Sequence, residues 1–301
     1  MAAMTSAAKA RLLAKIYKDV PAAEREDFQR FRAENPPRTA EIGDTSWSWL
    51  AGGTGDRALL FLPGAQGTPE SVSLNIAHFA SRFRWLSPAY PPVPTMAELA
   101  DGIAALLDRE GIGQAAVIGG AYGGFVAQVF VRRHPDRVER LIVSHAGTPN
   151  PARGRAIAKS LRWLPHLPMF LLRFQYRRVM MGLLPKRPEF ALTRAHLEEI
   201  IALHLTRAGV IDGYRRVVDY DQMHFEPGDL EGWPGRVLLL QGDKDPATPE
   251  PVREQMKVLY PGAEVHVFTG MGHATGAQYR EKYLGAIEEF LETPSPGPSP
   301  A

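Results

Sequence analysis

Val117-Ile118-Gly119-Gly120-Ala121-Tyr122-Gly123-Gly124 is the stretch on which the reading of this chain turns. An apolar run of strand length passes through glycines directly into the helical pattern Tyr122 to His134, so a strand ends in a tight turn and a helix begins at once. In such a turn the central residue takes a strained positive φ, and the residues two before and two after it must be small for strand and helix to approach. Gly119 and Gly123 fill those places around Ala121. Glycine-rich strand-to-helix turns also cradle phosphates, but G-x-G-x-x-G is absent and no lysine follows as in a P-loop. The turn therefore lifts one side chain, that of residue 121, above the end of a strand.

Working outward, short apolar runs of strand length stand at Trp47 to Leu50, Ala58 to Leu62, Phe83 to Ser87, Ala115 to Ile118 and Leu141 to Ser144, and again at Val237 to Leu240 and Val265 to Phe268. Helical patterns fill the gaps at Ser71 to Arg82, Met96 to Glu110, Tyr122 to His134, Pro251 to Tyr260 and Gln278 to Leu291. Strands alternating with helices predict an α/β fold with a mostly parallel central sheet flanked by helices. The alternation is interrupted once. Between Pro149 and Glu231 the spacing is helical throughout (Ala152 to Trp163, Met169 to Leu184, Thr193 to Arg207, Gly209 to Asp221), which predicts a helical cap inserted over the carboxyl edge of the sheet. The expected organisation is an N-terminal helical arm (1–35), a first part of the core (36–148), the cap (149–231), a second part of the core (232–292) and a Pro-rich tail (293–301) too poor in apolar residues to pack.

Strand, glycine turn and helix together resemble the G-x-S-x-G nucleophile elbow of the α/β-hydrolase superfamily of serine-esterase type, with alanine where the serine stands. The resemblance covers nearly the whole chain and implies an acid and a histidine in that order downstream. In Gln241-Gly242-Asp243-Lys244-Asp245-Pro246 the superfamily's G-x-x-D spacing selects Asp245 as the acid and leaves Asp243 as a turn residue. Gly270-Met271-Gly272-His273 supplies His273 on a Gly-flanked loop. The implied oxyanion donors are the backbone N–H of Tyr122 and that of Ala65, or of Gln66, in the loop after Ala58 to Leu62, where Pro63-Gly64 replaces the common His-Gly pair. The order of segments is also diffusely similar to the maspardin-like group, whose members include binding proteins.

Two origins fit Ala121: natural loss of the hydroxyl, or replacement of a serine in an otherwise working site. An intact acid and base beside an otherwise unaltered elbow favour replacement. Other nucleophiles are weaker. Ser6-Ala7-Ala8-Lys9 matches S-x-x-K without its S-D-N and K-T-G partners, Ser144 has no elbow around it, and no carboxylate stands at 121 for dehalogenase or epoxide-hydrolase chemistry.

Composition removes whole classes of function. Thirty-five basic and 33 acidic residues in 301 are too balanced for a nucleic-acid footprint. No cysteine is present, which excludes disulfides, thiolate metal sites and cysteine nucleophiles and fits a reducing, cytoplasmic setting. No run approaches a membrane span, no signal peptide is expected, and no ligand cluster calls for a metal or cofactor. The cap holds Arg153, Arg155, Arg162, Arg173, Arg177 and Arg178 among apolar residues, any one of which can meet a substrate carboxylate. His145, Tyr214, Tyr220 and His224 are further pocket candidates. The expected function is hydrolysis of a small-molecule carboxylic ester through an acyl-enzyme, with this chain binding substrate but not turning it over.

Overall fold

The computed structural model of the chain describes residues 5–274, 276 and 279–293. An eight-stranded sheet forms its centre: β1 (Arg38–Ile42), β2 (Thr45–Gly53), β3 (Ala58–Leu62), β4 (Arg84–Pro88), β5 (Ala115–Gly120), β6 (Val138–Ser144), β7 (Arg236–Gly242) and β8 (Glu264–Phe268). Their spatial order is β1-β2-β4-β3-β5-β6-β7-β8. β1 and β2 pair antiparallel at one edge, β2 pairs antiparallel with β4, and every pairing from β4 to β8 is parallel. Parallel strands are covered on both faces, which explains why β3 reads Ala-Leu-Leu-Phe-Leu with all five residues buried.

Period-two alternation divides those residues between two cores. Leu60, Leu62, Val117, Leu141, Val143 and Leu239 face α4 (Met96–Arg109) and α5 (Tyr122–Arg133). Leu59, Phe61, Ala116, Ile118, Leu238 and Leu240 face α3 (Ser73–Phe79) and the C-terminal helix Arg280–Glu292. Between β6 and β7 there is no strand, only α6 (Pro151–Leu161), α7 (Met169–Gly182), α8 (Ala191–Glu199), α9 (Arg207–Gln222) and short 3₁₀ and π turns. The arm, α1 (Ser6–Ile16) and α2 (Ala22–Glu34), packs Tyr17, Val20 and Phe28 on Leu192 and Ala195 of α8. It breaks at Pro21, which caps α2 and donates no backbone hydrogen bond.

Three local expectations change. β1 carries the polar pattern Arg-Thr-Ala-Glu-Ile with no buried residue, so apolar periodicity could not reveal this edge strand. The helix expected over Ser71 to Arg82 starts as a 3₁₀ turn at Pro69–Val72 and ends at Phe79. The helix expected over Thr193 to Arg207 ends in a π turn, Ile200–His204. Of the expected tail, 294–301 lies outside the described residues, as does Gln278.

The elbow rests on backbone contacts that only glycine permits. A Cβ on Gly119 would lie 2.2 Å from the Gly123 carbonyl oxygen, and one on Gly123 would lie 2.3 Å from that of Leu62. Strand β5, helix α5 and the end of β3 are thus pressed together without intervening side chains. Gly119→Ala is expected to lower stability by about 3 kcal/mol in urea unfolding, since backbone rather than a flexible side chain must yield. Gly285→Ala, in the C-terminal helix with nothing within 4 Å, is expected to gain about 0.5–1 kcal/mol.

Candidate active site

Strands β5, β7 and β8 deliver three residues to the carboxyl edge of the sheet, where parallel α/β sheets bind ligands. Ala121 follows β5 at once and sits at φ 50° and ψ −117°, outside the regions L residues favour. Its N–H donates to the Ser144 carbonyl at 2.8 Å, and its own carbonyl accepts from Gly124 N–H at 3.0 Å. The strained residue is therefore fixed by β6 on one side and by the first turn of α5 on the other.

Asp245 lies three residues past β7 and is fully buried in the loop it caps. One carboxylate oxygen accepts from Ala247 N–H at 2.8 Å, and the other accepts from the Thr248 hydroxyl at 2.8 Å and lies 2.9 Å from His273 Nδ1. Burial by itself pushes this carboxyl up, but the imidazole, the hydroxyl and the N–H together hold it below the usual carboxylate range. Asp243 does different work: it accepts from Gly270 N–H at 2.6 Å, clasping the loop after β7 to the one after β8. The Lys244 N–H bond to Met271 O at 2.8 Å reinforces that clasp, and Gly242 admits it because a Cβ there would lie 2.6 Å from Met271 O.

Ala121 and His273 line one cavity of about 950 Å³, bounded by the sheet edge below and by residues of α6, α7 and α9 above. Tyr122, Ala65, Gln66, His145 and Tyr214 line it as well. The Gly123 contact with Leu62 and Pro63 carbonyls sets the loop holding Ala65 and Gln66 against the elbow. Tyr220 and His224 are not brought to the cavity. Tyr220 is fully buried, stacked on Phe125 with its hydroxyl donating to Gly147 O at 2.8 Å. His224 is exposed and pairs with Glu226 at 3.1 Å. Helical periodicity placed both on α9 or just after it, but could not say which face met the cavity. Of the six cap arginines only Arg153 lines the cavity, and it is held by the buried Asp221 through Nε at 2.8 Å and Nη2 at 2.6 Å.

Two wall residues had no clear signal in the sequence. Arg216, buried in the cavity wall, donates from Nε to the Tyr122 hydroxyl at 2.6 Å and from Nη1 to the Pro91 and Val93 carbonyls at 2.9 and 2.6 Å. Thr248, which orients Asp245, could have been found only by knowing that the loop folds back on the acid.

His145 forms the cavity floor at φ 50°, its Nδ1 2.7 Å from the Ser144 hydroxyl and its ring 6.1 Å from that of His273. Ser144 is itself buried and so is engaged rather than available as a nucleophile. Burial lowers the His145 pKa to about 4, so the fold keeps this ring neutral.

The sequence pattern that defines the alpha/beta hydrolase family matches residues 18–284. A 2-hydroxymuconate semialdehyde hydrolase of Pseudomonas putida is 24% identical over 197 residues, 62% of this chain and 65% of that protein. The chain thus spans just under two thirds of that relative's length. Maspardin of Danio rerio is 24% identical over 262 residues, 81% of this chain and 79% of its own. A thermophilic esterase from Thermogutta terrifontis superposes with a TM-score of 0.69 at 21% identity, covering 85% of this chain and 97% of the esterase. The chain belongs to the alpha/beta hydrolase family.

Titration of His145 gives a direct check. With a folded pKa below the unfolded value, the unfolded chain binds the extra proton, so stability falls as pH drops from about 6.5 to 4 and then levels. A shift of this size corresponds to about 3 kcal/mol. His196, buried and lowered to about 3, acts in the same sense. His145→Asn, which tolerates positive φ, is expected to remove part of the slope over pH 6.5 to 4 in urea unfolding and to leave the His196 part.

Proposed function

We propose that this alpha/beta hydrolase carries the site of a carboxylic-ester hydrolase working through a Ser-His-Asp triad and an acyl-enzyme, present here without its nucleophile. The observation that carries the reading is the 2.9 Å bond between buried Asp245 and His273 Nδ1, made by an imidazole that lines the same cavity as elbow residue 121. A carboxylate at Nδ1 fixes the tautomer that leaves Nε2 free to accept a proton, and stabilises the imidazolium that forms.

With serine at 121, His273 takes the hydroxyl proton as the oxygen attacks the ester carbonyl, and a tetrahedral oxyanion forms. The backbone N–H groups of Tyr122 and of Ala65 or Gln66 receive that oxyanion. Arg216 acts as a positioning residue, since its bond to the Tyr122 hydroxyl fixes the first residue of α5. His273 then returns the proton to the alcohol leaving group, and water resolves the acyl-enzyme by the same path in reverse. With alanine at 121 the bond-forming oxygen is missing while cavity, base and acid remain. The chain in this form binds ester and does not cleave it.

A second reading, a binding protein on the hydrolase fold, is favoured by the alanine itself. One experiment separates the two. Ala121→Ser is expected to raise ester hydrolysis by on the order of 10⁶ in kcat with little change in affinity, because removing a triad serine costs that much. A fluorophosphonate probe should label position 121 in the serine form alone. A serine form inert to a panel of p-nitrophenyl esters and to the probe would leave the binding reading standing. Within the active serine form, Asp245→Asn is expected to lower kcat by about 10⁴. Asp243→Asn should cost far less, since Asp243 bonds a loop N–H and not the imidazole.

A further inference from the structure

Residues 149–188 hold nine lysines and arginines and no aspartate or glutamate, in a chain whose formal charge is only +2. The rest of the protein is therefore net negative and the positive charge is gathered on α6, α7 and their flanks. Arg155, Lys159 and Arg162 recur at helical spacing on α6 and its C-cap, all exposed, and Arg178 is exposed on α7. Among the described residues none of these four makes an ion pair, whereas Arg153 and Arg177 pair with Asp221 and Glu198.

The same segment exposes large apolar side chains. Trp163 is 73% exposed, Phe170 70% and Phe174 61%. On α7 the residues turned inward are Leu172 and Tyr176. Phe170 and Phe174, four apart, share the opposite face with Arg177 and Arg178. Aromatic rings flanked by arginines on one exposed helix face form the pattern of a helix lying in a lipid interface, where rings enter the acyl boundary and guanidinium heads stay among phosphates. Val179, Met180 and Leu183 line the cavity from the side of α7 that carries Leu172 and Tyr176, so the helix has the cavity on one side and the exposed rings on the other.

We propose that this face of the cap docks on membranes bearing anionic lipid headgroups, with Trp163, Phe170 and Phe174 inserted and the unpaired basic residues of α6 and α7 on the phosphates. No helix among the described residues is long and apolar enough to cross a membrane, so the association is peripheral. An acidic protein would satisfy the charge, but a convex helix face with protruding rings offers no groove for a partner's side chains, and lipid accommodates it without one.

Sedimentation of the intact chain with phosphatidylcholine vesicles, with and without phosphatidylglycerol, tests the proposal. Binding at least about ten-fold tighter to the anionic vesicles, weakened by high salt, is expected. Trp163→Ser, Phe170→Ser and Phe174→Ser combined should lose at least about ten-fold of that binding. Their thermal melt should stay close to the parent's, because all three side chains are mostly exposed and belong to none of the buried clusters. Trp163 emission should shift to shorter wavelength on anionic vesicles and not in Trp163→Phe, since Trp47, Trp49 and Trp85 are already buried and Trp233 is packed on the core with its Nε1 bonded to Val138 O. Failure to sediment, equal binding to both vesicles, or unchanged binding by the triple variant would each overturn the proposal. Salt-sensitive binding to polyglutamate without vesicle binding would do so as well, and would assign the face to an acidic protein.

Discussion

Contact between backbone and backbone at the elbow is the constraint to which the other features of the site are tied. Gly119 lies under the Gly123 carbonyl, Gly123 lies over the Leu62 and Pro63 carbonyls, and Gly124 lies against Ala146. Each contact removes a side chain's width between β5, α5, β3 and the segment after β6. Residue 121 has no room to relax and holds its positive φ because the surrounding glycines over-determine it. The same compression brings the loop after β3 beside the start of α5, so that Ala65, Gln66 and Tyr122 line the same cavity.

Around that point the polar groups are nearly all committed. Asp245 is bonded on both oxygens, Arg216 spends its donors on Tyr122 and two carbonyls, and Tyr90 donates to Pro63 O at 2.8 Å. Buried polar groups this fully satisfied cost little and resist rotation. His273 is attached differently, standing on a loop held by the Asp243 and Lys244 clasps and by the Asp245 bond. The position of the His273 imidazole therefore depends on the contact between the loops after β7 and β8, which makes Gly242 as much a part of the arrangement as the residues that line the cavity.

The cap is fastened from the far side. Glu199, buried on α8, accepts from the Tyr17 hydroxyl at 2.5 Å and from Arg32 at 3.0 and 3.1 Å. Burial pushes its carboxyl up, but His204, Tyr17 and Arg32 outweigh that and hold it at about 2. His204 also lines the cavity, at the end of the π turn that closes α8. The arm is thus no loose extension: it clamps the cap helix that reaches the cavity, while α6 and α7 are left with an outer face that nothing among the described residues covers.

Local pattern was enough for much of this. The glycine spacing around Ala121 is dictated by contacts at 2.2 to 2.3 Å, so the elbow shows in four letters, and the buried parallel strands show as apolar runs because both faces are covered. A legible strand before each loop pointed to Asp243, Asp245 and His273, and only the resemblance, through its G-x-x-D spacing, singled out Asp245. The positive charge of α6, α7 and their flanks is legible as well, since the absence of acids over 149–188 needs no coordinates to see. What local pattern could not supply was direction. Edge strand β1 has no fully buried residue, only Ala40 and Ile42 packed partly against the core, and so leaves little apolar trace. Tyr214 lines the cavity while Tyr220, on the same helix, lies in the core; Arg216 points inward while its neighbour Arg215 pairs with Asp212 at 2.9 Å. Rotation of α9 about its axis decides those fates. Packing of the whole cap against the sheet sets that rotation, and helical periodicity carries no record of it.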